Sequence, residues 1–255
     1  MDPLAAFSLK DKTILITGAS SGIGRQCAFS CSSAGAKLII MGRNHARLAE
    51  TFETLEGKHH QAFMLDLNDE AKSQKVLASL QEKNKSIDGI IHAAGISTTL
   101  PFRSTSPDKM NEYFNTNVAA AFNLSRLMIK NKLMNKNGGS IIFLASVMGS
   151  VGEMGKTLYG MTKGALLAGS KSMAIELASK NIRVNCISPG VVESPMSKNA
   201  IYSRDEASLQ KIKDLHPLGL GKPDDVANAC IYLLSDASRW ITGTNLIVDG
   251  GYTAR

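Results

Sequence analysis

Seven short apolar runs punctuate the chain: Thr13–Thr17, Lys37–Met41, Gln61–Leu65, Gly89–Ala93, Ser140–Ala145, Arg183–Ile187 and Asn245–Val248. Stretches with helical spacing separate them, over Ile23–Ser33, Arg47–Leu55, Glu70–Glu82, Pro107–Lys132, Leu158–Ser179 and Asp224–Leu234. Strands this uniformly apolar need burial on both faces. Strand–helix alternation supplies it when helices cover both sides of a parallel sheet, joined by right-handed crossovers. The pattern predicts an α/β fold with a doubly wound, seven-stranded parallel sheet. No Pro/Ser-rich linker, charge block or solenoid repeat divides the chain, so residues 1–255 read as one domain. The segment 191–217 departs from the alternation: it is polar, carries Pro195 and Pro217, and has a helix-like stretch near Arg204–Asp214. A connection this long in a compact domain is expected to act as a lid or binding loop, an ordinary surface excursion being the plain alternative.

Composition narrows the function. Lys and Arg exceed Asp and Glu by 29 to 22, a net charge of +7. Aromatics make up only 5% of the chain and no basic stripe interleaves with them, which argues against a nucleic-acid module and leaves anionic small molecules or an acidic partner. Met1 to Thr13 has no basic start, apolar run or cleavage site. The longest uncharged run, Asn137 to Gly152, is rich in glycine and serine and shorter than the ~20 apolar residues of a membrane span. A soluble, cytoplasmic protein is expected. Cys27, Cys31, Cys186 and Cys230 form no CxxC pair and no His/Cys ligand spacing, so no metal is expected. Cys27 and Cys31, one helical turn apart in an apolar pattern, read as small core residues.

The run Thr17-Gly18-Ala19-Ser20-Ser21-Gly22-Ile23-Gly24 stands between the first strand and the first helix. Gly18 allows a tight turn, Gly22 lets backbone approach a pyrophosphate, and Gly24 permits close helix–strand packing. Open N–H groups at the helix start would face that anion. The second strand ends Ile39-Ile40-Met41-Gly42-Arg43-Asn44, where dinucleotide folds meet the adenine ribose. An acid there would hold a 2′-hydroxyl and repel a 2′-phosphate. None is present, and Arg43 offers a planar, permanent charge, so NADP is expected over NAD, a solvated surface arginine being the plain alternative. Asp66, at the end of the third strand, either accepts from the adenine amino group or caps the next helix.

Tyr159 and Lys163 stand four residues apart in a helical pattern and leave the same helix face. An ammonium beside a phenol favours the phenolate and makes tyrosine a proton donor and acceptor near neutral pH. Ser146 ends a buried strand, the edge at which open parallel sheets bind ligands, and a glycine-rich loop joins it to Tyr159.

Over essentially its whole length the chain resembles the short-chain dehydrogenase/reductase family. The resemblance rests on Thr17-Gly18-x-x-x-Gly22-x-Gly24, Asp66, Asn117, Ser146, Tyr159-x-x-x-Lys163, Pro189-Gly190 and the closing Ile241-Thr242-Gly243 and Val248-Asp249-Gly250-Gly251. It implies a single-domain Rossmann fold and an oxidoreductase acting on a carbonyl or secondary alcohol with NADP(H). By the same resemblance Tyr159 is the general acid, Ser146 positions the substrate oxygen, and Lys163 lowers the tyrosine pKa and holds the nicotinamide ribose. Asn117 anchors a proton-relaying water. Gly18, Ser20, Ser21, Gly22, Ile23, Gly24, Arg43, Asn44, Asp66, Leu67, Ala94 and Gly95 would contact the cofactor. So would Asn117, Tyr159 and Lys163, with Pro189, Gly190, Val192 and Ser194 lining the nicotinamide. Most relatives carry Asn-Asn-Ala-Gly after the fourth strand, where this chain has His92-Ala93-Ala94-Gly95; His92 is read as a structural replacement.

The nearest likeness is to 3-oxoacyl-[acyl-carrier-protein] reductases, with sugar, polyol or small-ketone dehydrogenases as the alternative. An acidic acyl carrier protein suits the +7 charge. Against it, Ile175 stands where carrier-protein reductases often have arginine; Lys130 and Lys132 would supply a basic contact or are solvated charges. Met196, Ile201, Tyr202 and Leu209 give the lid its apolar character, with Ser97–Phe102 as the opposite wall. A non-catalytic NADP-binding scaffold is the reading of another class, disfavoured because the whole catalytic set is present. Relatives are commonly homotetramers built on the two long helices, which this chain also has.

Overall fold

The seven parallel strands are β1 (Thr13–Thr17), β2 (Lys37–Gly42), β3 (Gln61–Met64), β4 (Gly89–His92), β5 (Gly139–Leu144), β6 (Ile182–Pro189) and β7 (Asn245–Val248). They form one sheet in the order β3-β2-β1-β4-β5-β6-β7. These assignments come from a computed structural model that describes residues 4–83, 86–198 and 205–254. The order reverses beside β1, which pairs with β2 through Thr17↔Met41 and with β4 through Thr17↔His92. A crevice opens at this switch point, outside the carboxyl ends of the strands. The expected single-domain Rossmann architecture is therefore present, with its ligand edge where Thr17, His92 and Ser146 end or follow strands.

The continuous apolar character of β1 has a simple cause. Leu15 faces one core and Ile14 and Ile16 face the other, all wholly buried. Against the first face pack α3 (Glu70–Glu82), α5 (Ala120–Lys130) and α6 (Thr157–Leu177), through Leu77, Leu124 and Leu166. Against the second pack α1 (Gly22–Ser33), α2 (His45–Glu53) and α9 (Pro223–Leu234), through Cys27, Leu48 and Leu233. Each such aliphatic side chain contributes roughly 2 kcal/mol by leaving water. Cys27 and Cys230 meet across the α1–α9 seam with sulfurs 3.7 Å apart, and all four cysteines are buried and free. Among the described residues no helix is long and apolar enough to cross a membrane.

Helix starts follow local chemistry. Asn44, Asp69 and Asp205 each accept from the amide three residues on, capping α2, α3 and α8 (Glu206–Asp214). Ser106 caps α4 (Pro107–Phe114) in the same way, with Pro107 in its first turn. One expectation needs correction. The helix read as Pro107–Lys132 is α4 and α5 joined by a π-helical turn at Asn115–Ala119. A widened turn adds one residue to the period, which the hydrophobic pattern of the chain does not register. In the segment 191–217 a single turn, α7 (Pro195–Lys198), precedes α8. Ile201, Tyr202 and Arg204 lie outside the described residues.

Candidate active site

At Gly18 the chain turns with φ +68°, and a Cβ there would stand 2.7 Å from the Ala94 amide nitrogen. A Cβ on Gly24 would collide with the Gly18 carbonyl. The loop is thus folded tightly onto the segment that follows β4, as no side chain would permit. Thr17 Oγ1 holds that packing by accepting from the amides of Ala93 (3.2 Å) and Ala94 (3.3 Å). The end of β1 is thereby tied to the His92-Ala93-Ala94-Gly95 segment. Ser21 begins α1 without a side-chain cap, so the first-turn amides keep their capacity for an anion.

At the far end of the cleft Arg43 follows β2 on the exposed surface, and Arg47 of α2 joins it in the lining. Sequence reasoning missed Arg47, although its place four residues after Arg43 was the signal. Asp66 lines the same end, and its Oδ1 accepts from the Asn68 amide at 3.0 Å. The cap of α3 is Asp69, so capping is not the task of Asp66.

The central group is built by β5 and α6. Ser146 sits in extended backbone just beyond β5, nearly buried, with Oγ accepting from the Met148 amide at 3.2 Å. Tyr159 lies in the first turn of α6, and Lys163 one turn later places Nζ 5.4 Å from the tyrosine ring centre. Lys163 Nζ also donates to the Leu144 carbonyl at 2.6 Å. Burial pushes its ammonium down to about 8.

Every residue expected to hold the cofactor or act on the substrate oxygen lines this one cleft except Asn117. Asn117 stands one layer behind, in the π-helical turn, and its amide is fully engaged. Its Oδ1 accepts from the Ile96 amide at 2.8 Å, and Nδ2 donates to the Ile96 carbonyl at 3.0 Å and to Thr162 Oγ1 at 3.1 Å. It clamps the segment after β4 to α6, one residue from Lys163. Thr162 in turn donates to the Tyr159 carbonyl at 2.8 Å. In this structure its side chain positions the pair from behind.

The opposite wall is Pro189, Gly190, Val192 and Ser194, continued by Met196 of α7. Leu209 does not reach the cleft, and of the expected wall at 97–102 only Ser97 does. His216, unnoticed in the sequence, fixes this wall: its ring accepts from the Val191 amide (3.1 Å) and pairs with the Ile212 carbonyl (2.7 Å). Also missed were Glu153 and Lys156, which line the cleft between Ser146 and Tyr159. The cradle of glycines, the arginines at its far end and the Ser–Tyr–Lys group fit a dinucleotide laid across the switch point. Among the described residues no cluster of His, Cys, Asp and Glu has the grouping of a metal site.

The chain is similar to known proteins over nearly its whole length. A family model described as enoyl-(acyl carrier protein) reductase matches residues 18–253. A 3-oxoacyl-[acyl-carrier-protein] reductase of Thermotoga maritima is 33% identical over 247 residues, covering 95% of this chain and 98% of that protein. An NADP-dependent (R)-specific alcohol dehydrogenase of Lentilactobacillus kefiri is 34% identical over 253 residues, covering 97% and 98%. Among solved structures, a 7α-hydroxysteroid dehydrogenase complexed with NADH and 7-oxo glycochenodeoxycholic acid superimposes with a TM-score of 0.87. Its identity is 28% and the match covers 98% of each chain.

Proposed function

This chain belongs to the short-chain dehydrogenase/reductase family of oxidoreductases, which bind a nicotinamide cofactor, and from that premise we propose that it is an NADP(H)-dependent carbonyl reductase whose first substrate class is the 3-oxoacyl thioester. The observation that carries the reading is the convergence of Ser146, Tyr159 and Lys163 in the cleft that holds the glycine cradle and Arg43.

The bound nicotinamide supplies the hydride. The protein's part is to place the substrate and move a proton. Ser146 Oγ donates to the substrate carbonyl oxygen, and Tyr159 gives that oxygen its proton as negative charge develops. Lys163, held by the Leu144 carbonyl, stabilises the phenolate that remains, and the same ammonium would hold the nicotinamide ribose of a bound cofactor. Asn117 keeps α6 and the segment after β4 in register while this happens. In the alcohol-oxidising direction the same groups work in reverse.

Two observations support NADP over NAD: no acid follows β2, and Arg43 and Arg47 both face the end where a 2′-phosphate would lie. The thioester reading draws on the name of the Thermotoga relative and on the +7 charge, which suits an acidic acyl carrier protein as partner. A small-ketone, sugar or polyol substrate is the second reading, favoured by the identity to the Lentilactobacillus alcohol dehydrogenase. A homotetramer in the cytoplasm completes the proposal. Exposed Met161 and Ile175 on α6 and Met110 on α4 give the long helices an apolar face for pairing.

The test is NADPH oxidation with an acetoacetyl thioester on acyl carrier protein, with NADH as the paired control. Rapid NADPH consumption and at least ~10-fold slower NADH consumption are expected, a preference of about 1.4 kcal/mol. Tight NADPH binding without turnover moves the substrate to small ketones, sugars and polyols. Equal use of NADH overturns the role given to Arg43.

A further inference from the structure

Lys156 is the last residue before α6, and Tyr159 follows it within the same turn. Its carbonyl accepts from the Gly160 amide at 2.7 Å, so its backbone is anchored to the helix that carries the reacting group. Its side chain is half-buried and lines the cleft together with Ser97, Ser146, Met148 and Tyr159. Among the described residues its ammonium makes no ion pair and no hydrogen bond. Glu153, on the same wall, stays beyond ion-pair distance. Burial lowers the proton affinity of Lys156 and outweighs the opposite pull of Glu153.

A lysine on an open surface keeps its ammonium in water or pairs it. Lys156 has surrendered part of its hydration inside a cleft, on the helix end that carries Tyr159, and the pull of Glu153 offsets that loss only in part. Such a cation gains most from an anion that arrives with the ligand. A neutral ketone or a thioester carbonyl offers it a dipole only.

We propose that Lys156 is a specificity-determining residue that receives a carboxylate of the substrate, so that the preferred substrate is an oxo acid, or in reverse its hydroxy acid, over a neutral ketone or ester. The inference rests on the carbonyl-reductase reading of the cleft and is independent of the acyl carrier protein. Within the 3-oxoacyl skeleton it favours the free acid over the thioester.

The experiment measures binding without turnover. Calorimetric titration of the enzyme–NADP+ complex uses acetoacetate and 4-oxopentanoate, each beside its methyl ester. Oxidised cofactor and ketone cannot exchange a hydride, so affinity is read alone. At least one acid is expected to bind ten-fold or more tighter than its ester. Lys156→Met should erase that advantage and Lys156→Arg should keep most of it. If Lys156→Met does not fold, Lys156→Gln takes its place. The proposal is overturned if neither acid binds detectably, if neither exceeds its ester, or if the advantage survives the neutral substitution. NADPH oxidation by the same four compounds is scored separately. Charge-dependent binding with no reduction of any compound would count against the reductase reading and leave the anion site standing.

Discussion

Lys163 and His92 are two basic side chains shut away at the same end of the sheet, and burial leaves them in different states. Desolvation depresses both, His92 to about 3 and Lys163 to about 8. The starting points differ, at 6.5 and 10.5, so near pH 7 the histidine is neutral and the lysine keeps its charge. Their surroundings differ in the same sense. His92 stacks on Phe143 with centres 4.8 Å apart, and its Nε2 meets Ser125 Oγ at 2.7 Å. Its Nδ1 has no partner among the described residues, and it does not line the cleft. Lys163 opens onto the cleft beside Tyr159. A neutral ring is ordinary packing. A buried ammonium is a standing cost, and the proton transfer proposed for Tyr159 is what it would serve.

Turnover gives the largest expected effect. Tyr159→Phe and Lys163→Met should each lower kcat by about 100-fold or more, the scale of a lost general acid, while NADPH titration still shows binding. His92→Asn should leave kcat within a few-fold. Equal losses in all three would erase the distinction between the two basic groups.

Acid stability is the next effect. The folded His92 has a pKa of about 3, below the 6.5 of the unfolded chain, so the unfolded state holds more protons between those values. Stability is therefore lost as pH falls below 6.5, by roughly 2 kcal/mol at pH 5 from this group. Urea unfolding at both pH values should show that loss, and His92→Asn should shrink it.

A comparable effect lies on the alkaline side. The folded Lys163 has a pKa of about 8 against 10.5, so between them the unfolded chain again holds more protons and this group makes stability rise with pH. The rise is about 1 kcal/mol per pH unit and should be absent from Lys163→Met. Over the same range kcat/KM for carbonyl reduction should fall as the ammonium beside Tyr159 loses its proton. A pH profile flat through 8 would mean that the ammonium plays no part in the proton transfer.

Local patterns carried much of the fold. The apolar run Thr13–Thr17 announced a two-sided strand because Ile14, Leu15 and Ile16 alternate between cores. The glycine positions announced the cradle because only glycine meets the close approaches at Gly18 and Gly24. Other features left no local trace. The π-helical turn at Asn115–Ala119 changes the period by a single residue inside a helix whose apolar pattern looks continuous. His216 and Lys156 carry no motif, because their tasks depend on Val191 in one case and on the cleft wall in the other.

What the sequence determined by itself is whatever rests on near neighbours along the chain: the strand–helix alternation, the turn at the phosphate loop, and one helix face shared by Tyr159 and Lys163. The tertiary structure alone decided what rests on partners brought from far away. Thr17 ties to Ala93 and Ala94, Asn117 clamps Ile96 to Thr162, and Lys163 reaches the Leu144 carbonyl. Desolvation belongs to the second kind. A lysine loses its water only when other elements close around it, so the charges of Lys163 and Lys156 became chemically distinctive only once the sheet and α6 were assembled.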